Sequence, residues 1–398
     1  MKILFYQWHS FMNKGLENAL KRLDIEYDVL FFQQEDWETD TGLKESLERA
    51  IKTGSTKGIP MEFGGMPVPV HFSDSQDMYS LVLSVNFAPV VSQVCEKIGI
   101  RYVSWIYDSP VHIRDLSSMH NSCNDIFLFD RGETEAFLKL GIKTKHMPLA
   151  VDTEVFAPAL KQEFSTDITL VGSMYKTIYS AIHAVVPEWI KGFLDGLLAA
   201  QNAVSGGYLI DEMVDDGLVE SIRACLQQNN GLQIGKRELK YLLACEATHR
   251  QRFMAASVLS SHFSFDLYSG EKDESIPQVT YRGYADYYTD MPAAFSSSRI
   301  NLNIPLCTIR TGVSLRVMDV LGCGGFLISG MQPELFELFN VGEELVVYTD
   351  IEDLYEKAAY YIAHEDERMR IAYNGFMRVK RDFTFDERLK QMFYGETI

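Results

Sequence analysis

Residues 296–330, SSSRINLNIPLCTIRTGVSLRVMDVLGCGGFLISG, limit what this chain can fold into more than any other stretch. An apolar run from Ile300 to Ile304 predicts a strand, and a loop follows that ends in Arg310-Thr311-Gly312-Val313-Ser314. A helix is expected from Leu315 to Leu321, then a glycine stop and a second buried strand, Phe326-Leu327-Ile328. Strand, loop, helix and strand in this order form the crossover unit of a parallel sheet. In such sheets ligands bind at the carboxyl ends of the strands, where helix N-termini point. This loop offers a helix N-terminus with Ser314 as a candidate cap, the cations Arg310 and Arg316, and Asp319 one turn inside the helix. That set suits a phosphate with a ribose attached.

The same alternation runs through the chain. Strands are expected at Lys2 to Trp8, Tyr27 to Phe32, Tyr79 to Val85, Arg101 to Tyr107, Asn124 to Phe129 and Lys143 to Pro148, with amphipathic helices between them. Residues 151–165 carry turn signals and divide a first α/β domain, 1–150, from a second, 166–380. The second opens on strand Asp167 to Val171, and a nearly all-helical insertion is expected over about 175–261. Strands then resume at Phe265 to Tyr268, Gln278 to Tyr281, Ile300 to Ile304, Phe326 to Ile328 and Leu345 to Tyr348. Three helices finish the chain, the last within 381–398. The expected fold is α/β: two Rossmann-like domains facing a cleft.

Composition excludes several classes. A net charge of −18 argues against a nucleic-acid groove or adhesion to an anionic membrane, since both need basic surface. No apolar run approaches the length that spans a bilayer, and MKILFYQWHS reads as a first strand, not a signal peptide. The six cysteines form no CxxC and sit mostly in apolar runs, as reduced thiols of a cytoplasmic protein do. The histidines show no metal-ligand spacing, and GxSxG and GxxxxGK[ST] are both absent.

Several short motifs, taken in order, carry a resemblance. They are Val171-Gly172-Ser173, Tyr281-Arg282-Gly283-Tyr284, Asn301-Leu302-Asn303, Ser314 through Gly325, and Phe383-Thr384-Phe385-Asp386-Glu387-Arg388. With them the chain resembles the group-one glycosyltransferase domain of CgeB-type, spore-maturation-like proteins. Trp105-Ile106-Tyr107-Asp108-Ser109-Pro110 and Phe129-Asp130 resemble the domain that often precedes it. The resemblance implies a GT-B architecture, with the acceptor on the first domain and a nucleotide-sugar donor, a UDP-sugar as first choice, on the second. It implies transfer of a sugar to a hydroxyl of a glycan, protein or small-molecule acceptor, without a catalytic metal ion.

Site residues follow from strand ends and from this resemblance. Gly172 and Ser173 end the first strand of the second domain, where glycine lets backbone approach a phosphate. Arg282, Gly283 and Tyr284 are expected in the turn that holds the nucleotide base. Asp319 stands where related enzymes place a glutamate on the ribose hydroxyls, and Arg310, Ser314 and Arg316 would receive the diphosphate. Retaining relatives often carry another glutamate eight positions earlier; here that residue is Thr311, which favours an inverting displacement. His9, ending the first strand, is the leading candidate for the base. Asp108 and Asp130, also at strand ends, could orient His9, act as base or cap a turn. A nucleotide-sugar epimerase and a non-catalytic sugar-nucleotide-binding partner protein are the competing readings.

Overall fold

The computed structural model describes residues 1–398 except 35, 37, 160–162, 205, 230–232 and 396–398. Parts of the expected linker, of the helical insertion and of the C-terminal segment therefore lie outside the described residues. The chain forms two units, Met1–Asp152 with Asp382–Ile398, and Thr153–Arg381.

The first unit is built on β1 (Lys2–Gln7), β2 (Glu26–Phe31), a small hairpin of β3 (Glu62–Phe63) and β4 (Met66–Pro67), then β5 (Leu81–Val85), β6 (Arg101–Ile106), β7 (Asn124–Leu128) and β8 (Thr144–His146). Without the hairpin, these make one parallel sheet in the order β2-β1-β5-β6-β7-β8. Its central strands are apolar on both faces, as helix-covered strands must be. Local chemistry sets the helix ends. Asp40 caps Thr41–Thr53 by accepting from the Leu43 amide, and Gly54, at φ 63°, stops it. Pro89 opens Pro89–Ile98, and Gly99, at φ 79°, closes it. Lys2 is buried against Asp28 at 3.4 Å and donates to the carbonyls of Gly54 and Ser75. The chain returns to this unit at its end. In helix Phe385–Tyr394, Arg388 donates to the Pro148 carbonyl, and the Phe385 ring lies 5.8 Å from that of Trp105. A Cβ on Gly15 would stand 2.6 Å from the Phe385 ring, so only glycine admits this helix.

The second unit holds β9 (Thr166–Val171), β10 (Phe265–Tyr268), β11 (Thr280–Gly283), β12 (Ser298–Asn303), β13 (Leu327–Gly330) and β14 (Val346–Tyr348). They form a parallel sheet in the order β11-β10-β9-β12-β13-β14. The period-two alternation of β12 sorts the layers. Ile300, Leu302 and the following Ile304 join the core with Ala255, Leu259, Leu354 and Ala358, from helices Lys236–Ser260 and Ile351–Ala363. Asn301 and Asn303 face the opposite layer, where Asn301 donates to the Phe295 carbonyl and Asn303 accepts from Ser314. Helix Leu315–Gly322 begins there.

Between β9 and β10 stand helices Tyr179–Val185, Glu188–Ala203, Leu209–Met213, Asp216–Asn229 and Lys236–Ser260. The first four share a separate apolar core with Leu239, Leu243 and Ala247 of the fifth. Further along, Ala255 and Leu259 of that helix pack on the sheet. Its apolar positions therefore serve two cores and make no single stripe. Among the described residues no helix is long and apolar enough to cross a membrane.

Candidate active site

In the second unit strand order reverses between β9 and β12, so their carboxyl ends bound the crevice where such sheets bind ligands. After β9 comes Gly172, at φ +146°, where a Cβ would lie 2.9 Å from Arg252 Nη1. The glycine lets the chain close on that guanidinium. Arg252, on the long helix Lys236–Ser260, is 8% exposed. It donates through Nη1 to the Ser173 carbonyl and through Nε, at 3.1 Å, to that of Ile304, so one cation ties the ends of both strands. The Tyr175 ring lies 4.8 Å from it. Burial holds the Arg252 pKa below the usual arginine range, and the charge of Arg316 adds to this.

The loop and helix expected to grip a ligand are fixed largely by their own contacts. Ser314 takes the extended backbone of a cap but forms no cap bond; its hydroxyl donates to Asn303 Oδ1 at 3.0 Å. Arg316 Nη1 lies 3.3 Å from Asp319 Oδ2, and the Tyr287 hydroxyl donates to Asp319 Oδ1 at 2.9 Å. Asp319 is 1% exposed, and burial pushes its carboxyl up to about 7 against the opposing pull of Arg316 and Tyr287. Each oxygen has one partner, which leaves the carboxylate further acceptor capacity. Arg310 donates to Asp211 Oδ2 at 2.5 Å, while Asp211 also binds Lys240. It anchors the loop to the helical segment.

The expected turn after β11 lies differently. Arg282 and Gly283 belong to the strand itself, because a register shift between Leu267 and Tyr268 extends the pairing to Gly283. Arg282 donates to Asp266 at 2.9 Å, and Tyr284 is 76% exposed. Thr311, standing in for the second carboxylate, donates its hydroxyl to Glu334 Oε1 at 2.7 Å. Glu334 follows β13 and is buried. The fold thus brings a carboxylate to the place where the local motif lacks one.

In the first unit the reversal falls between β1 and β5. A pocket of about 310 Å³ opens there, lined by Trp8, Asn86, Phe87, Asp108, His112 and their neighbours. Asn86 holds a left-handed backbone, φ 58°, which a non-glycine residue adopts at a cost. Its carboxamide donates to Asp108 Oδ2 at 2.7 Å and accepts from the Tyr107 amide at 3.0 Å. Burial raises the Asp108 pKa, and the charge of His112 and the Asn86 bond oppose the rise. Glu133 accepts from the Val111 amide at 3.1 Å and so steadies the loop that carries His112. Asp130 is fully buried and caps helix Arg131–Lys139 by accepting from the Glu133 amide. His9 is exposed and stacks on Phe63 of the hairpin, rings 5.2 Å apart.

The structure therefore groups Gly172 and Ser173 with Arg252, Arg316 with Asp319, and Asp108 with Asn86 in a pocket that His112 also lines. It commits Asp130 to a helix cap, Arg282 to Asp266 and Arg310 to Asp211. Sequence reasoning missed Arg252, Asn86, His112 and Glu334. His112, in Asp108-Ser109-Pro110-Val111-His112, was the one with a local signal. Among the described residues no three of His, Cys, Asp and Glu stand together as metal ligands would.

Residues 240–393 match the model of a family described as glycosyl transferase-like. Sucrose-phosphate synthase from Thermosynechococcus elongatus aligns with a TM-score of 0.51 and 12% identity over 98% of this chain and 97% of its own. A glycosyltransferase from Rickettsia africae ESF-5 aligns with a TM-score of 0.54 and 10% identity over 99% of each chain. Anabaena Alr3699/HepE, in its complex with UDP and glucose, aligns at 0.48 and 12% identity over 100% of each chain. No curated protein matches the chain in sequence. The first two likenesses agree with the sheets described above: this is the GT-B fold, and the glycosyl transferase-like domain supplies most of its second unit.

Proposed function

We propose that the protein is a GT-B glycosyltransferase that moves a sugar from a nucleotide-sugar donor to an acceptor hydroxyl. The observation that carries the reading is Arg252, a buried guanidinium bonded to the Ser173 and Ile304 carbonyls at the β9/β12 switch point, with Arg316 at the start of the helix that follows β12. A nucleoside diphosphate is a polyanion whose charge grows as the sugar departs, and preorganised cations lower the barrier to that departure. In this reading the second unit takes the donor. Gly172 and Ser173 lie along the diphosphate, and Asp319 and Tyr284 belong to the nucleoside side. A UDP-sugar is the first donor to test.

The first unit takes the acceptor, whether glycan, protein or small molecule. Asp108 is the base we favour over His9 and Asp130, because it lines a pocket and is held by Asn86 beside His112. It removes the acceptor hydroxyl proton as that oxygen bonds to the anomeric carbon. The bond from that carbon to the diphosphate breaks, and the electron pair leaves with the diphosphate. The outcome is inversion. With two arginines to balance charge, the reaction proceeds without a metal ion, and the six free thiols suit a cytoplasmic setting.

Calorimetry against nucleoside diphosphates, followed by donor turnover with an acceptor panel, tests the reading. We expect micromolar binding of one diphosphate and acceptor-dependent loss of donor. A donor converted to an isomer without any acceptor would replace transferase with epimerase. Absence of binding to every diphosphate would overturn both.

A further inference from the structure

A second pocket of the second unit lies away from the residues assigned to the donor. It holds about 470 Å³, within the range of small-molecule sites. Its walls come from the end of helix Glu188–Ala203, from the middle of Lys236–Ser260, and from the segments that follow β12, β13 and β14. On the long helix Arg252 bonds the carbonyls of Ser173 and Ile304, while Gln251, Met254 and Ala255 line the pocket. The layers agree with that division. Ala255 and Leu354, which line the pocket, pack on the Ile300–Ile304 side of β12, and helix Leu315–Gly322 begins on the Asn303 side.

The lining defines the ligand. Met254, Leu306, Ile309, Met331 and Ile351 make the walls mainly apolar. The charged residues are already committed: Arg250 pairs with Glu246 at 3.0 Å, and Asp350 caps helix Ile351–Ala363. Two neutral carboxamides on the lining keep unsatisfied atoms. Gln332 is 3% exposed, and neither its carboxamide nitrogen nor its oxygen has a hydrogen-bond partner; the carboxamide oxygen of Asn202 is likewise buried and unpartnered. Buried carboxamides are normally hydrogen-bonded, and two on one pocket call for a group that closes them.

We propose that this pocket is a second ligand site, for an uncharged amphipathic small molecule. The apolar body lies along Met254, Leu306 and Ile351. A hydroxyl or amide head bonds to Gln332 and Asn202, taking the donor and the acceptors that they offer.

The test uses the full chain and octyl β-D-glucoside, titrated by calorimetry below its micelle concentration, with octanoate and octylammonium as charged controls and a nucleoside diphosphate as an independent arm. The expected result is saturable one-to-one binding of the glucoside, at least about tenfold tighter than either control. Met254→Trp, which fills the pocket from a half-exposed position, should weaken it at least tenfold, and Gln332→Leu several-fold. Nucleotide binding should stay unchanged in both variants. No saturable binding to the wild type, equal binding of the charged controls, or binding indifferent to both substitutions would overturn the proposal. The nucleotide arm reports separately on the donor reading.

Discussion

The two units share one architecture and carry opposite chemistry at the same place in it. Each is a six-stranded parallel sheet whose strand order reverses once. At the first reversal stand a carboxylate, a carboxamide and an imidazole: Asp108, Asn86 and His112. At the second stand a buried guanidinium and an arginine, Arg252 and Arg316. Sheet topology fixes where a ligand goes; the side chains at the strand ends fix its charge. A proton acceptor belongs with an uncharged hydroxyl, and a pair of cations with a diphosphate. Strain marks both sites too, with Asn86 and Tyr175 left-handed beside the two reversals.

Substitutions at the two reversals should separate cleanly. The largest effect is expected for Asp108→Asn, which keeps shape and removes the proposed base. Turnover should fall by about 10²–10⁴-fold with nucleotide affinity unchanged. If His9→Ala does as much and Asp108→Asn nothing, the base lies at the end of β1 instead. The next effect is on stability. Asp319 titrates near 7 when folded and near 3.8 when unfolded, so the folded chain binds the extra proton between those values. Stability should therefore decline as pH rises from about 4 to about 7, by at most about 4 kcal/mol for this group. Asp319→Asn should flatten that decline in a Tm series over the same range, and an unchanged slope would refute the assignment.

Arg252→Gln comes third. Loss of the charge should weaken nucleoside diphosphate binding by about 1.5–3 kcal/mol, roughly 10–150-fold, while leaving the first unit's pocket untouched. Affinity equal to the wild type would remove Arg252 from the donor site. The smallest effect is expected for Ser314→Ala. Its hydroxyl holds Asn303 and does not cap the helix, so stability should drop by about 1 kcal/mol in denaturant titration. A change in diphosphate affinity as large as that of Arg252→Gln would mean the hydroxyl serves the ligand after all.

Much of the fold was legible because local rules agree with the tertiary result. Pro89, Gly99, Asp40 and Gly54 punctuate helices by their own backbone chemistry, and Phe265–Tyr268 was read to its ends from an apolar run between turn signals. The hairpin Glu62–Pro67 was not visible, since its four residues are exposed and carry no alternation. The site was legible only at strand ends. Asp108 could be chosen because YDSP follows an apolar strand, whereas Arg252 sits in mid-helix among ordinary polar residues. Nothing within a few positions of Arg252 distinguishes it from a solvated arginine; Gly172 and Ile304, far off in sequence, make it a buried cation.

The sequence alone determined the alternation of strands and helices, and with it two parallel sheets with strand ends at Val171, Ile304 and Tyr107. These follow from periodicity and turn chemistry, which act over a few residues. Tertiary structure alone decided which charges are spent and which remain. It gave Arg310 to Asp211, Arg282 to Asp266 and Ser314 to Asn303, and it brought Glu334 to Thr311 and Arg252 to two strand ends. The reason is range: a buried charge is set by whatever the fold packs around it, and those groups come from anywhere in the chain.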